Sequence, residues 1–469
     1  MSVDQIKTTG TARADEGTGS RLRVRSGRWV DGWDPEDKDF WETEGRPVAR
    51  TNLNWSIFCE FLGFVIWQLW SILAVQLPAT GFDFSNSQIF WLISIPSLVG
   101  ATLRIPYTFM VPKFGGRNWT VISALLLLVP SIGLAVCVAN PETPFGAMLL
   151  VAGLAGLGGG NFASSMANIT YFYPAAEKGY ALGLNAAGGN LGAAVAQLVV
   201  PVVITLGAAA SLNLPLGGLI WVPLILLAAW GARRYMHNLS HAKGDAAGSV
   251  AALREPHLWI MALLYIGTFG SFIGFSGVFP KLIHDVFPAF SSFAVGSAAL
   301  SLAFLGPLVG SLARPLGGKL ADRFGGARMT VASFATMALI ALAVVWTLPL
   351  GNFWLFLLLF LALFTASGFG NGATYRMIPR IFAIRGRIGS TRSSVHVGSE
   401  RKAAAALGLV SAIGAYGGFL IPQVLNASST ATGSYTGAFY GFVAAYAVML
   451  VVAWFCYLRP GSEMARGGV

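Results

Sequence analysis

Two arginines, Arg104 and Arg314, stand inside long apolar runs that repeat one another. The first run reads Ser97-Leu-Val-Gly-Ala-Thr-Leu-Arg104 and the second Pro307-Leu-Val-Gly-Ser-Leu-Ala-Arg314. Nine residues follow each arginine before a Phe-Gly-Gly, at Phe114 and at Phe324. An arginine at the centre of a lipid-spanning helix costs roughly 2.5–3.5 kcal/mol on insertion scales. Two planar forks of donors at equivalent places suit an oxyanion held between them; a structural pairing with carbonyls or acids is the competing explanation. Helix rise, counted from Arg117 and Arg328, puts both arginines ~20 Å from one membrane face. Asn190 and Tyr265 converge on the same layer and can add neutral donors. Phe162 and Phe269 fall near it, as flat walls for a planar, weakly hydrated anion or as ordinary core. Of the 20 acidic residues, ten lie in the N-terminal tail and only Glu60 falls inside an expected span. No acid is therefore expected at the depth of the arginines. Glu60 is expected ~10 Å from the same face, as a candidate proton carrier, as the partner of a nearby Arg or Lys, or simply reaching the interface.

The elements that must hold these residues are membrane helices. The chain has 469 residues, 55% hydrophobic and only 11% charged, where soluble domains carry about 25% charge. The pattern predicts an all-α integral membrane protein of twelve helices, at about 53–75, 88–112, 118–139, 145–172, 179–207, 216–237, 256–279, 296–321, 328–349, 353–381, 402–424 and 435–458. Residues 51–237 and 256–458 form two pseudo-symmetric six-helix bundles, joined by a linker at 238–255. Tails occupy 1–50 and 459–469. The first tail is Gly/Ser-rich and expected to be disordered at its start, then aromatic at Trp29, Trp33, Phe40 and Trp41, a part expected to lie along the cytoplasmic face. The segment near 382–401 is expected to be a flexible basic connection. Lys and Arg crowd one set of connections (Lys113, Arg117, Lys178, Arg233, Arg234, Lys243, Arg254, Lys319, Arg323, Arg328), while the alternate set holds only Lys281. By the positive-inside rule both termini face the cytoplasm. That bias accounts for the net charge of +11 without a nucleic-acid partner. No cleavable signal peptide is expected, because the first 50 residues are polar and charged. Cys59, Cys137 and Cys456 sit in apolar runs and imply no disulfide framework. The five histidines (His237, His241, His257, His284, His396) show no metal-ligand spacing, and no phosphate-binding loop occurs. A secondary transporter without cofactor or metal is favoured over a pump or an enzyme.

Further segments refine the class. Gly188 and Gly192 lie four apart in the fifth span, and Gly414 and Gly418 in the eleventh. Each pair lines one helix face and permits close backbone approach, as plain packing or as a sliding surface between the bundles. After the eighth span, Gly318-Lys-Leu-Ala-Asp322-Arg323-Phe-Gly325-Gly-Ala-Arg328 resembles the loop signature of the major facilitator superfamily, with a degenerate copy at Lys113–Arg117. A carboxylate among guanidiniums there could hold one gating state closed. Asn161-Phe-Ala-Ser-Ser-Met-Ala-Asn168, the Gly-rich segments of spans five and eleven, Leu264–Phe272 and the Trp33-Asp-Pro-Glu-Asp tail together resemble the nitrate/nitrite porter family, NarK-type. The resemblance covers nearly the whole chain. It implies the major facilitator fold, a monomer in the cytoplasmic membrane, and nitrate and nitrite as substrates for assimilation or respiration. Arg104, Arg314, Phe162, Asn190, Tyr265 and Phe269 are then the substrate contacts by motif position. Exchange is expected ahead of proton-coupled symport. Another anion antiporter of the superfamily, or a nitrate receptor that moves nothing, are the alternatives.

Overall fold

The computed structural model describes residues 22–206, 212–242, 246–388 and 394–469. The expected disordered start of the tail, Lys243 in the linker and the middle of the basic connection lie outside them. Twelve long helices dominate: α1 (Lys38–Gln76), α2 (Asn86–Phe114), α3 (Gly116–Val138), α4 (Phe145–Phe172), α5 (Ala175–Thr205), α6 (Leu214–Tyr235), α7 (Pro256–Val286), α8 (Leu305–Phe324), α9 (Gly326–Leu350), α10 (Phe353–Gly386), α11 (Ala405–Thr432) and α12 (Thr436–Leu458). Among the described residues, eleven helices are long and apolar enough to cross a membrane. The twelfth, α8, carries Arg314, Lys319, Asp322 and Arg323 within its 20 residues. It is the repeat of α2. Exposed Leu, Val and Trp side chains, among them Leu339, Trp346, Leu358 and Val136, stud the outside of the bundle, where lipid is their solvent.

Sequence sets several helix ends directly. Ser85 and Gln88 form a capping box at the start of α2, which satisfies two amide groups that a helix end leaves free. The breaks between α2 and α3 and between α8 and α9 fall on Gly115 (φ 87°) and Gly325 (φ 94°), the first glycine of each Phe-Gly-Gly. Side chains rarely adopt that conformation, so the repeat conserves a corner as well as a charge.

Each half packs its own helices together, α1 on α4 and α5, α2 on α4, α8 on α10, and α9 on α10 and α12. The halves meet through α2 with α11, α5 with α8, and α1 with α7. The hydrogen bonds found between the halves among the described residues occur at Arg104–Ser411 and Thr102–Tyr416 or nearer the face opposite the tail. Those nearer that face include Gln423–Ser94, Asn426–Ser87, Gln197–Ser276 and Ala299–Thr205. The halves are therefore fastened on the far face.

Three expectations change. The first helix begins at Lys38, inside the expected tail, because a membrane helix continues beyond the bilayer on polar residues that hydropathy reads as loop. The segment near 382–401, expected to be a flexible connection, is helical as far as Ile388 and again from Ser394. The aromatic part of the tail packs on the fold. Strands β1 (Arg23–Arg25) and β2 (Trp29–Asp31) pair antiparallel, and β2 pairs parallel with β3 (Asn238–Leu239), at the start of the expected linker. Trp33 packs edge-on against Phe40 and Phe172, so the aromatic tail covers the end of α4. Finally, the eighth span does not start near 296. A hairpin of β4 (Phe293–Val295) and β5 (Ala298–Leu300) occupies that stretch.

Candidate functional site

Arg104 projects from α2 into the centre of the bundle and is fully buried. Its Nε donates to the Gly159 carbonyl on α4 at 3.1 Å. Its Nη1 crosses to the second half and donates to both the carbonyl (2.9 Å) and the hydroxyl (2.8 Å) of Ser411 on α11. Its Nη2 has no partner. The guanidinium carbon lies 4.4 Å from the centre of the Phe162 ring and 5.0 Å from that of Phe269.

Arg314 approaches the same ring from α8. Its guanidinium carbon is 5.7 Å from the Phe162 centroid and 5.7 Å from that of Tyr375. One terminal nitrogen makes a long hydrogen bond, 3.4 Å, to the Tyr265 hydroxyl, and the other has no partner. Phe162 and Phe269 stack at 6.1 Å, and Tyr265 stacks on Phe269 at 5.3 Å. A π-helical turn at Ile266–Gly270 inserts one extra residue just after Tyr265. Such turns re-aim side chains and are frequent at functional sites. The structure thus brings Arg104, Arg314, Phe162, Tyr265 and Phe269 into one cluster. Asn190 is fully buried on α5 and neither of its amide atoms has a partner.

Glu60 stands differently from its expected place. It is buried, within electrostatic reach of both Arg104 and Arg314. One turn farther along α1, Phe64 contacts Phe162 edge-on at 6.3 Å. The depth count failed because it began at residue 53, well past the true helix start. Glu60 does not pair with an Arg or Lys. Its Oε2 accepts from the Asn185 amide at 2.7 Å, and that amide also reaches the Ser165 hydroxyl at 2.7 Å. An acid is therefore present near the arginines after all.

Comparison with known proteins decides the class. The model of the Major Facilitator Superfamily matches residues 56–396. The nitrate/nitrite transporter NarU of Escherichia coli is 42% identical over 91% of this chain and 96% of its own length. The chain belongs to the nitrate/nitrite porter family of the major facilitator superfamily. A probable nitrate/nitrite antiporter of Thermus thermophilus, NarK2, is 37% identical over 94% of this chain and 99% of its own. The fold also matches the nucleoside transporter NupG with a TM-score of 0.59, at 14% identity, over 86% of this chain and 99% of that one, a likeness of architecture alone. The chain is a multi-pass membrane transporter and not an enzyme.

Within this porter the signature glycines do not make two faces sliding on each other. A Cβ on Gly188 would lie 2.4 Å from Ile57, and one on Gly192 2.2 Å from the Phe61 carbonyl, so both meet α1. A Cβ on Gly414 would lie 2.4 Å from the Tyr265 ring, on α7 of the same half. Gly418 alone of the four faces across the halves, with Ser97 2.7 Å from its would-be Cβ. The expected sliding of span five on span eleven is corrected accordingly. In the signature loop, Asp322 pairs with Arg376 of α10 at 2.5 Å, both half-exposed. Arg323 lies over Phe324, and Arg328 makes no ion pair among the described residues. This ion pair joins two helices of one half, and the Arg376 guanidinium also comes within 3.1 Å of a would-be Cβ on Gly179 of α5, in the other half.

Sequence reasoning missed Ser411, Gly159, Trp67 and Tyr375. Trp67 lies 5.6 Å from the Arg104 guanidinium. The repeat held a signal for Tyr375: the offset from Arg104 to Arg314 also relates Gly158 to Gly368, Asn161 to Asn371 and Ser165 to Tyr375. Asn161 and Asn371 are both buried with unpartnered amides.

Proposed function

We propose that this chain carries nitrate and nitrite across the cytoplasmic membrane by alternating access, exchanging one anion for the other, with both termini in the cytoplasm. The observation that supports this most is the shared Phe162 ring. Two buried guanidiniums lie against it, and each has one terminal nitrogen without a protein partner. Those two nitrogens, with Tyr265 and Asn190, are donors for a flat oxyanion, and the stacked rings exclude water. A tetrahedral, more highly charged phosphate suits an aromatic stack less well. One chain supplies both arginines and all the rings, which supports a monomer as the transport unit. The two relatives named above are, by name, a nitrate/nitrite transporter and an antiporter.

The charge balance supports exchange, since the two guanidiniums outnumber the one nearby carboxylate, Glu60. Carrying unpaired guanidiniums through a dry intermediate is costly, and a bound anion lowers that cost, so the loaded carrier returns faster than the empty one. A second reading, proton-coupled symport, is favoured by Glu60 in its buried place near the pair. Labelled nitrate counterflow in proteoliposomes decides. Uptake driven by internal nitrite without a pH gradient is the result for exchange. Uptake only with a pH gradient indicates symport, uptake driven by organophosphate another antiporter, and binding without uptake a receptor.

A further inference from the structure

Four arginines converge on the tail face of the first half, away from the transport site. Arg28, Arg117, Arg233 and Arg234, with Trp230, line a cavity of about 300 Å³. No carboxylate of the described residues lines it. Two of the four are pinned. Arg28 donates to the carbonyls of Met236 (2.9 Å) and Tyr235 (3.1 Å) and to the His237 ring. Its backbone has φ 59°, the only positive value at a non-glycine residue among those described. Arg117 donates to the carbonyls of Arg233 (2.8 Å) and Gly27 (3.1 Å). These bonds use backbone dipoles, and no carboxylate among the described residues compensates either charge. The side chains of Arg233 and Arg234 make no hydrogen bond or ion pair among the described residues. A strained turn thus carries a tail arginine to three others that repel it, an arrangement that needs a reason beyond anchoring.

The cavity sits at the lipid boundary. Trp230 is exposed, and Leu226 and Leu227 one turn earlier on α6 are exposed apolar residues. Indole rings at that level mark the headgroup layer. Basic pockets at helix ends in that layer bind anionic headgroups. We propose that this cavity binds the phosphate of an anionic phospholipid, with acyl chains along Trp230, Leu226 and Leu227, and that the lipid fastens the tail to the end of α6.

The test uses the purified full-length porter and native mass spectrometry with phosphatidylglycerol, phosphatidylcholine or inorganic phosphate. Wild type is expected to retain phosphatidylglycerol at least tenfold better than phosphatidylcholine. The double variant Arg233→Gln, Arg234→Gln removes two charges without breaking a hydrogen bond of the fold and should lose that preference, while Arg233→Lys, Arg234→Lys should keep most of it. Should the Gln pair fold poorly, Trp230→Ala supplies the second variant and should weaken lipid retention alone. Retention of phosphatidylglycerol by the Gln pair equal to wild type would overturn the proposal. So would inorganic phosphate binding as tightly as the lipid, which would make the site one for a soluble anion.

Discussion

The Arg104 guanidinium of the first half donates to both the carbonyl and the hydroxyl of Ser411 in the second, at 2.9 and 2.8 Å. One nitrogen of a candidate substrate-binding residue is thereby also a fastening between the halves. An anion drawing on Arg104 must compete with that fastening or share its charge, which ties occupancy of the site to the contact between the halves.

Ser411→Ala keeps the carbonyl acceptor and removes the hydroxyl. A hydrogen bond to a charged group contributes about 1.5–3 kcal/mol. The expected result is a drop in nitrate counterflow of about tenfold, smaller than any loss from changing Arg104 itself. Unchanged initial rates at equal membrane expression would show that the fastening is incidental.

The glycine faces separate packing from site geometry. Gly414→Ala sets a methyl 2.4 Å from the Tyr265 ring and should displace the hydroxyl that meets Arg314, raising the nitrate concentration needed for half-maximal exchange. Gly188→Ala meets the Ile57 branch methyl on α1, a stiff β-branched side chain, so it should disturb packing between α1 and α5 but leave the Tyr265 hydroxyl, and the nitrate concentration for half-maximal exchange, several-fold less affected. Equal effects of the two would contradict the geometry.

Glu60→Gln tests coupling. The account expects counterflow to survive the change and a pH gradient to add little to wild-type uptake. If a gradient drives wild-type uptake and the Gln variant loses only that component, Glu60 is the proton site and exchange is not the physiological mode.

Acid should loosen the tail through His237. Burial, helped by Arg28 and Arg117, pushes its pKa down to about 4, whereas a released histidine titrates near 6.5. The released state therefore takes up a proton first as pH falls. Tail docking is strongest above about pH 6.5 and weakens as pH drops toward about 4. Hydrogen exchange of residues 22–31, corrected for intrinsic rate, should be faster at pH 5 than at pH 7.5, and His237→Gln should flatten the difference. Equal protection at both pH values in wild type would refute it.

The repeated arginines and the Phe-Gly-Gly corners were legible in the sequence because period and spacing survive in one dimension. So were the helices, since lipid demands long apolar runs. The start of α1 was not, because Lys38 to Asn54 is polar and helical at once. Glu60 was misplaced for the same reason. Ser411 was invisible because its role depends on how two halves far apart in the chain are docked. Gly414 was read correctly as a close approach but assigned the wrong neighbour, since spacing gives the face of a helix and not what lies against it.

The central claim is that Arg104 and Arg314 jointly hold the anion. Its most direct measurement is nitrate counterflow in proteoliposomes by Arg104→Lys and Arg314→Lys, at equal protein incorporation. Lysine keeps the charge and loses the planar fork, so the account predicts that each variant falls to a few per cent of wild type or less. Near-normal exchange by both lysine variants would contradict it.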